Sequence, residues 1–286
     1  MKRVKRPKRG KAEIALLLAG VLFAAVMLVL PLVSVIFNSL QEGFAFYIQA
    51  LSSDSVRSAL GVTLLATAVA VAVNTFFGLM AAWLLTKFSF RGRHLLATMI
   101  DIPFSISPVI AGLAFLMTFG RLGWAAPLVD ALNRALGTDV QIVFAVPGVV
   151  LATVFVTFPF VSREIIPVLN AQGRDEEEAA ALMGAGGFHI FRKITLPHIR
   201  WALLYGVILC TARALGEFGA VNALSKTRGE TFTLPLEIDA LYLAGSADSI
   251  TAAFAVSSLL VLIAVAVLVL RSFVEYRAKK SSRPKT

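Results

Sequence analysis

Two charges stand where an apolar chain tolerates them least. Arg213 and Glu217 lie four residues apart inside a hydrophobic run from Trp201 to Leu224. An isolated charge at mid-membrane costs about 2.5–3.5 kcal/mol on insertion scales. On a helix, the i, i+4 spacing puts both on one face, where they can pair. Two chemistries are open. One is a structural ion pair that fixes helix packing. The other is a polarised patch on a translocation path, in which the Arg213 fork meets an oxyanion. Partial neutralisation of a paired arginine tilts the balance slightly towards the first. Ala214, Gly216, Gly219 and Ala220 around the pair suit close helix approach or a narrow path.

A second group of charges is Asp175-Glu176-Glu177-Glu178, at the start of a good helix-forming stretch, Glu176–Met183. Acidic residues there complement the positive end of a helix. Gly184-Ala185-Gly186-Gly187 then predicts a sharp turn. A short helix over Phe188–Thr195 follows, and Pro197 suits the first turn of the next membrane helix. The spacing thus predicts helix, glycine turn, short helix, membrane helix. Such a segment either fits a groove in a soluble partner or caps the end of a helical bundle.

Other chemistries are missing from the sequence. There is no G-x-x-x-x-G-K-[ST] phosphate loop, so ATP hydrolysis coupled to this chain would occur on another polypeptide. His94, His189, His198 and the single Cys210 make no convincing metal cluster, and no resident cofactor is expected. Cys210 lies in an apolar run and reads as a buried small hydrophobe.

The elements that must position these groups are membrane helices. The chain is 58% hydrophobic and 15% charged over 286 residues, against about 25% charged in soluble domains. An all-α polytopic membrane protein follows, with six spans near 14–37, 58–86, 95–119, 140–162, 201–224 and 249–270. Each is long enough for a ~30 Å hydrocarbon core. The first run is too long for a cleaved signal peptide, and Pro31 is a candidate kink. Gly61 and Gly78 permit close contact in the second run, where Asn74 should face protein or a cavity. In the third run Asp101, Pro103 and Pro108 predict a broken or kinked helix packed against protein. Asp101 reads first as a carboxylate at the water boundary. Leu128, Leu132 and Leu136 suggest a short interfacial helix in the 121–139 connection. Residues 225–248 read as a second polar connection.

Basic residues fix the expected orientation. Of 27 Lys and Arg, 21 fall in 1–13, 87–94, the large polar loop 163–200 and the tail 271–286, whereas five fall on the opposite side. Positive-inside bias puts both termini and the large loop in the cytoplasm. It also explains the +10 net charge without nucleic acid, since the basic residues track membrane boundaries and form no aromatic-interleaved patch.

Glu178-Ala179-Ala180, Gly184, Ile194, Leu196 and Pro197 resemble the E-A-A-x-x-x-G-x9-I-x-L-P loop of ABC importer permeases at every fixed position. The resemblance implies a type I importer fold and a loop that docks in a groove of a cytoplasmic ATPase subunit. Residues 212–221 resemble permeases for tetrahedral oxyanions. Residues 101–109, 200–206 and 228–231 are similar to the W-type permease family of bacterial sulfate/thiosulfate importers. That family implies alternating access in the bacterial inner membrane, a homologous second permease subunit, two ATPase subunits carrying ATP-Mg, and an extracytoplasmic sulfate/thiosulfate-binding protein. In the docking loop the resemblance carries over to Glu178, Ala179, Ala180 and Gly184, with Ile194, Leu196 and Pro197 setting the return to the membrane. Arg213 and Glu217, the candidates for the substrate path, lie within the 212–221 stretch. Alternatives remain at this point: a molybdate/tungstate permease, a secondary transporter driven by an ion gradient, and a non-transporting scaffold.

Overall fold

The computed structural model describes residues 11–281, so most of the basic N-terminus and the end of the tail lie outside the described residues. Within them the chain is helical, with no strand. Helix α1 is Ala12–Ser39, α2 is Gly43–Leu51, α3 is Asp54–Lys87, α4 is Arg93–Ser105, α5 is Pro108–Phe119 and α6 is Ala126–Leu136. Then come α7 at Val146–Gln172, α8 at Asp175–Leu182, α9 at Gly187–Leu215, α10 at Gly219–Leu224, α11 at Leu234–Leu243 and α12 at Ala247–Ser281. Five helices are long and apolar enough to cross a membrane, and the α4–α5 pair would make a sixth if it counts as one span.

The core forms where α3, α7 and α9 pack on one another. Val161, Ile165 and Leu169 of α7 and Ile199 of α9 are buried together. Close approach is set by glycine: a Cβ at Gly78 of α3 would lie 3.1 Å from Val161 Cβ, and one at Gly206 of α9 would lie 3.0 Å from Val161 Cα. Gly61, by contrast, faces open space. Asn74 is fully buried and donates to Thr157 Oγ1 at 2.8 Å and to the Val154 carbonyl at 3.1 Å. This ties α3 to α7 where lipid could satisfy neither group.

The prolines act as their chemistry requires. Between α4 and α5 the chain bends by 109°, with Pro103 buried inside α4 and Pro108 opening α5. Pro31 and Pro197 cause no such bend. Each begins a regular α stretch directly after a π turn, Ala25–Val29 and Phe191–Thr195 respectively. A π turn shifts bonding to i→i+5 and absorbs the place where proline supplies no N–H.

Several boundaries differ from the hydropathy reading. Helix α7 starts at Val146 and runs ten residues beyond 162, because Ile165 and Leu169 keep one face buried against neighbouring helices. Arg163 therefore stands on a helix, pairing with Asp101 at 2.8 Å and lying 4.3 Å from the Phe104 ring centre. Both partners of that pair are half-exposed, consistent with a boundary position for Asp101. The short helix after the glycine turn is continuous with the fifth membrane helix, as α9. The run expected to end at Leu224 breaks after Leu215 and resumes as α10. Finally, the polar connection 225–248 contains a helix, α11, with Leu234, Leu236 and Glu237 buried.

Candidate functional site

Two places hold the residues singled out by chemistry. The first is the turn between α7 and α9. Helix α8 carries all four acidic residues in its first turn. At its far end Gly184 adopts φ +89°, Gly184 N–H bonds to the Ala181 carbonyl at 2.9 Å, and Ala185 N–H bonds to the Ala180 carbonyl at 3.0 Å. This is a Schellman cap, which requires a left-handed residue. A side chain at Gly184 would meet no neighbour within 4 Å, so the backbone conformation alone selects glycine.

The cap projects the tip of the turn away from the bundle. Leu182, Met183 and Phe188 are 91%, 89% and 78% exposed. Glu178 and Ala179 are exposed and Ala180 is half-buried. Three large apolar side chains on an exposed tip, with the exposed Glu178 one turn from Leu182, make a surface shaped for a partner groove. Ile194 and Leu196 are half-buried on the α9 side, and Pro197 is exposed beside its π turn. The structure therefore brings the motif residues to one end, with glutamate and alanines on α8, Gly184 at its cap, and Ile194, Leu196 and Pro197 on α9. In the sequence, Ala179, Leu182 and Met183 share one helix face by i, i+3, i+4 spacing, and Phe188 opens the short segment after the turn.

The second place is the break between α9 and α10. Arg213 Nη2 lies 2.6 Å from Glu217 Oε2. Glu217 has left the helix, and its other oxygen accepts the Ala220 N–H at 2.8 Å. The carboxylate is 1% exposed and the arginine 29%. The Arg213 contact is an ion pair by distance, but its angle falls outside hydrogen-bond limits. Glu217 thus caps α10 and balances Arg213, while the rest of the guanidinium keeps free donors.

Small residues beside the pair serve close packing. A Cβ at Gly219 would lie 3.1 Å from Pro108 Cβ, and one at Gly112 would fall on the Ala220 carbonyl oxygen. Helices α5 and α10 therefore touch backbone to backbone next to the charged pair.

Sequence reasoning missed a third ionic site. Glu237 of α11 is fully buried and takes a forked contact from Arg228, with Nε 3.0 Å from both carboxylate oxygens and Nη2 2.6 Å from Oε1. Those bonds hold the Arg228 guanidinium above its ordinary pKa. The available signal was local: Thr233-Leu234-Pro235 is a helix start, and Leu234, Leu236, Ile238 and Leu241 follow at mixed apolar spacing.

Several known proteins resemble this chain in sequence or in fold. Residues 74–280 match the family described as binding-protein-dependent transport system inner membrane component. The chain is 43% identical over 265 residues to the sulfate transport system permease protein CysW of Escherichia coli K12, covering 92% of this chain and 88% of that one. It is 37% identical over 202 residues to the sulfate transport system permease protein CysT of Salmonella typhimurium, covering 71% of each. Among solved structures, a bacterial alginate ABC transporter in complex with an alginate-pentasaccharide-bound periplasmic protein shares the fold. Its TM-score is 0.74 at 18% identity, with 94% of each chain covered.

Proposed function

The chain belongs to the family of binding-protein-dependent transport inner membrane components, and from that premise we propose that it is the pore-forming permease subunit of an ATP-driven sulfate importer. The observation that carries the cargo is the likeness to sulfate permeases across almost the whole chain. Thiosulfate, an anion of the same shape and charge, falls within the same proposal. ATP is hydrolysed on a partner subunit, and this chain contributes no catalytic group.

In this reading the protein is a multi-pass inner-membrane subunit with six spans and cytoplasmic termini. A parity argument supports the count. Lys87 at the end of α3 bonds to the Gly173 carbonyl, so both lie at one end of the bundle. Because α7 reaches that end at Gln172, it starts at the other. The bent α4–α5 pair must therefore carry the chain across. The basic-residue bias then places that end, with the turn 173–186, in the cytoplasm.

The turn is the ATPase-docking element. Glu178, Ala179, Ala180 and Gly184 shape its surface, and Ile194, Leu196 and Pro197 set its return into the membrane. The likeness to both CysW and CysT supports a homologous second permease, and the alginate transporter complex supports an extracytoplasmic binding protein. Two ATPase subunits complete the proposed assembly. Sulfate released from the binding protein passes Arg213, whose free donors offer an oxyanion weak and reversible contacts. Conduction needs such weakness, since tightly held cargo would not leave.

The test is uptake of radiolabelled sulfate by the chain reconstituted with its second permease, ATPase and binding protein. Uptake is expected to need both ATP and the binding protein. Uptake that survives a non-hydrolysable ATP analogue but stops when an ion gradient is collapsed overturns the reading. Preference for labelled molybdate over sulfate would reassign the cargo.

A further inference from the structure

A docking element is useful only if something carries its motion into the membrane. Backbone continuity joins α8 to α7 through Gly173 and to α9 through the glycine turn, and both joints are built from the most compliant residue. The rigid connections must be side chains. They converge on one carboxylate outside the recognised motif.

Glu177 stands next to Glu178 but turns inward. Its Oε1 accepts a 2.6 Å hydrogen bond from Thr195 Oγ1, at the end of the π turn in α9. The same oxygen lies 3.1 Å from Lys87 Nζ, at the last residue of α3. Thr195 is 1% exposed, and the side chains of Lys87 and Glu177 are 6% and 15% exposed. The contact is thus shielded from the solvent screening that makes surface ion pairs weak.

Two further bonds close the joint. Lys87 Nζ also donates to the Gly173 carbonyl at 2.6 Å, and Arg174 donates back to the Thr86 carbonyl at 3.3 Å. Each of these cations satisfies a carbonyl of the segment opposite. Lys87 sits at the negative end of α3 and Glu177 at the positive end of α8, so both helix dipoles favour the charges where they stand. The Trp83 ring of α3 meets the Phe191 ring of α9 edge-on, with centroids 5.8 Å apart, and stiffens the same junction.

We propose that Glu177 is the positioning residue that ties the docking helix to two membrane helices at once, through Lys87 on α3 and Thr195 on α9. A pull or push on α8 is thereby delivered to α3 and α9, which both pack on α7 at Val161. Glu177 makes no contact with the ATPase in this arrangement. The proposal rests on the docking reading of the turn and adds a transmission step to it.

The test uses the reconstituted complex and three readouts: ATPase subunit recovered with the chain, ATP hydrolysed, and sulfate taken up. Glu177→Ala and Lys87→Met are each expected to lower sulfate per ATP at least tenfold while the ATPase subunit is recovered in native proportion. Glu177→Gln keeps an acceptor for Thr195 and is expected to fall between native and Glu177→Ala. A role in folding alone would lower all three readouts together. Because the charges act as a unit, the double variant Lys87→Met/Glu177→Gln should be no worse than the poorer single. Native coupling in both single variants, multiplied losses in the double, or loss of ATPase recovery in Glu177→Ala overturns the proposal. Leu182→Asp with Met183→Asp separates it from the reading beneath it. If that pair leaves ATPase recovery intact, the docking surface lies elsewhere and the docking reading itself falls.

Discussion

Two arginine–glutamate pairs in this molecule look alike at first and are built differently. In Arg228–Glu237 and Arg213–Glu217 the carboxylate is buried, at 0% and 1% exposure, and the arginine is partly open, at 45% and 29%. Arg228 commits two nitrogens to its partner in a forked arrangement. Arg213 approaches with one, off the hydrogen-bond angle, because the second oxygen of Glu217 is taken by the Ala220 amide. The first pair is closed and locks α11 to the loop before it. The second is half-closed: its carboxylate belongs to the backbone of α10, and its arginine keeps donors for something else. An ion pair's role is thus set by how the remaining lone pairs and protons are used, not by the distance between charges.

Changes at each pair test that contrast. The largest loss of stability is expected from Arg228→Ala, which strands the Glu237 carboxylate. Breaking a buried pair from one side costs about 3–5 kcal/mol, to be read as a fall in the melting temperature of the purified complex. Wild-type stability in this variant would mean that the fork is idle. Next comes Gly112→Val, which pushes a side chain into the Ala220 carbonyl and should cost about 1–3 kcal/mol as overpacking. It should also shift α10 and with it Glu217, lowering sulfate uptake. Glu217→Gln keeps the cap on Ala220 and removes the charge, and should cost about 1–2 kcal/mol, the order of a hydrogen bond to a charged group. Arg213→Ala also strands a buried carboxylate, but the Ala220 amide still holds one Glu217 oxygen, so a smaller loss of stability than in Arg228→Ala is expected. Uptake, however, should fall about tenfold in that variant with assembly retained. Equal losses of uptake and assembly would make Arg213 a packing device like Arg228 and erase the distinction.

At the proposed docking end, Gly184→Trp should reduce recovery of the ATPase subunit while leaving membrane insertion intact, measured by co-purification. The left-handed backbone there excludes side chains even though space is open. Normal recovery would separate the motif glycine from docking.

Much of the molecule was legible in the sequence because its causes are local. Apolar runs of about 20 residues announced the long apolar helices, Pro103 and Pro108 the break between α4 and α5, and Gly184 the turn. Arg213 and Glu217 were visible as a pair because four residues separate them. The same rule misled in one respect, since i, i+4 spacing implies one continuous helix, whereas the chain leaves the helix after Leu215. Glu217 competes for a backbone amide there, and nothing in the spacing reveals that.

What the tertiary structure alone decided were contacts whose partners are far apart in sequence. Lys87 reads as a loop cation, and 90 residues later Glu177 reads as one acid among four. Only the packing of α3, α8 and α9 selects that acid and turns it inward. Hydropathy likewise ends the fourth span at the first charge, whereas burial of Ile165 and Leu169 carries α7 on to Gln172. Local propensity and solvent partition are written into each stretch of chain. Which buried charge meets which is settled only when distant helices close on one another, because pairing there depends on the loss of water that packing brings.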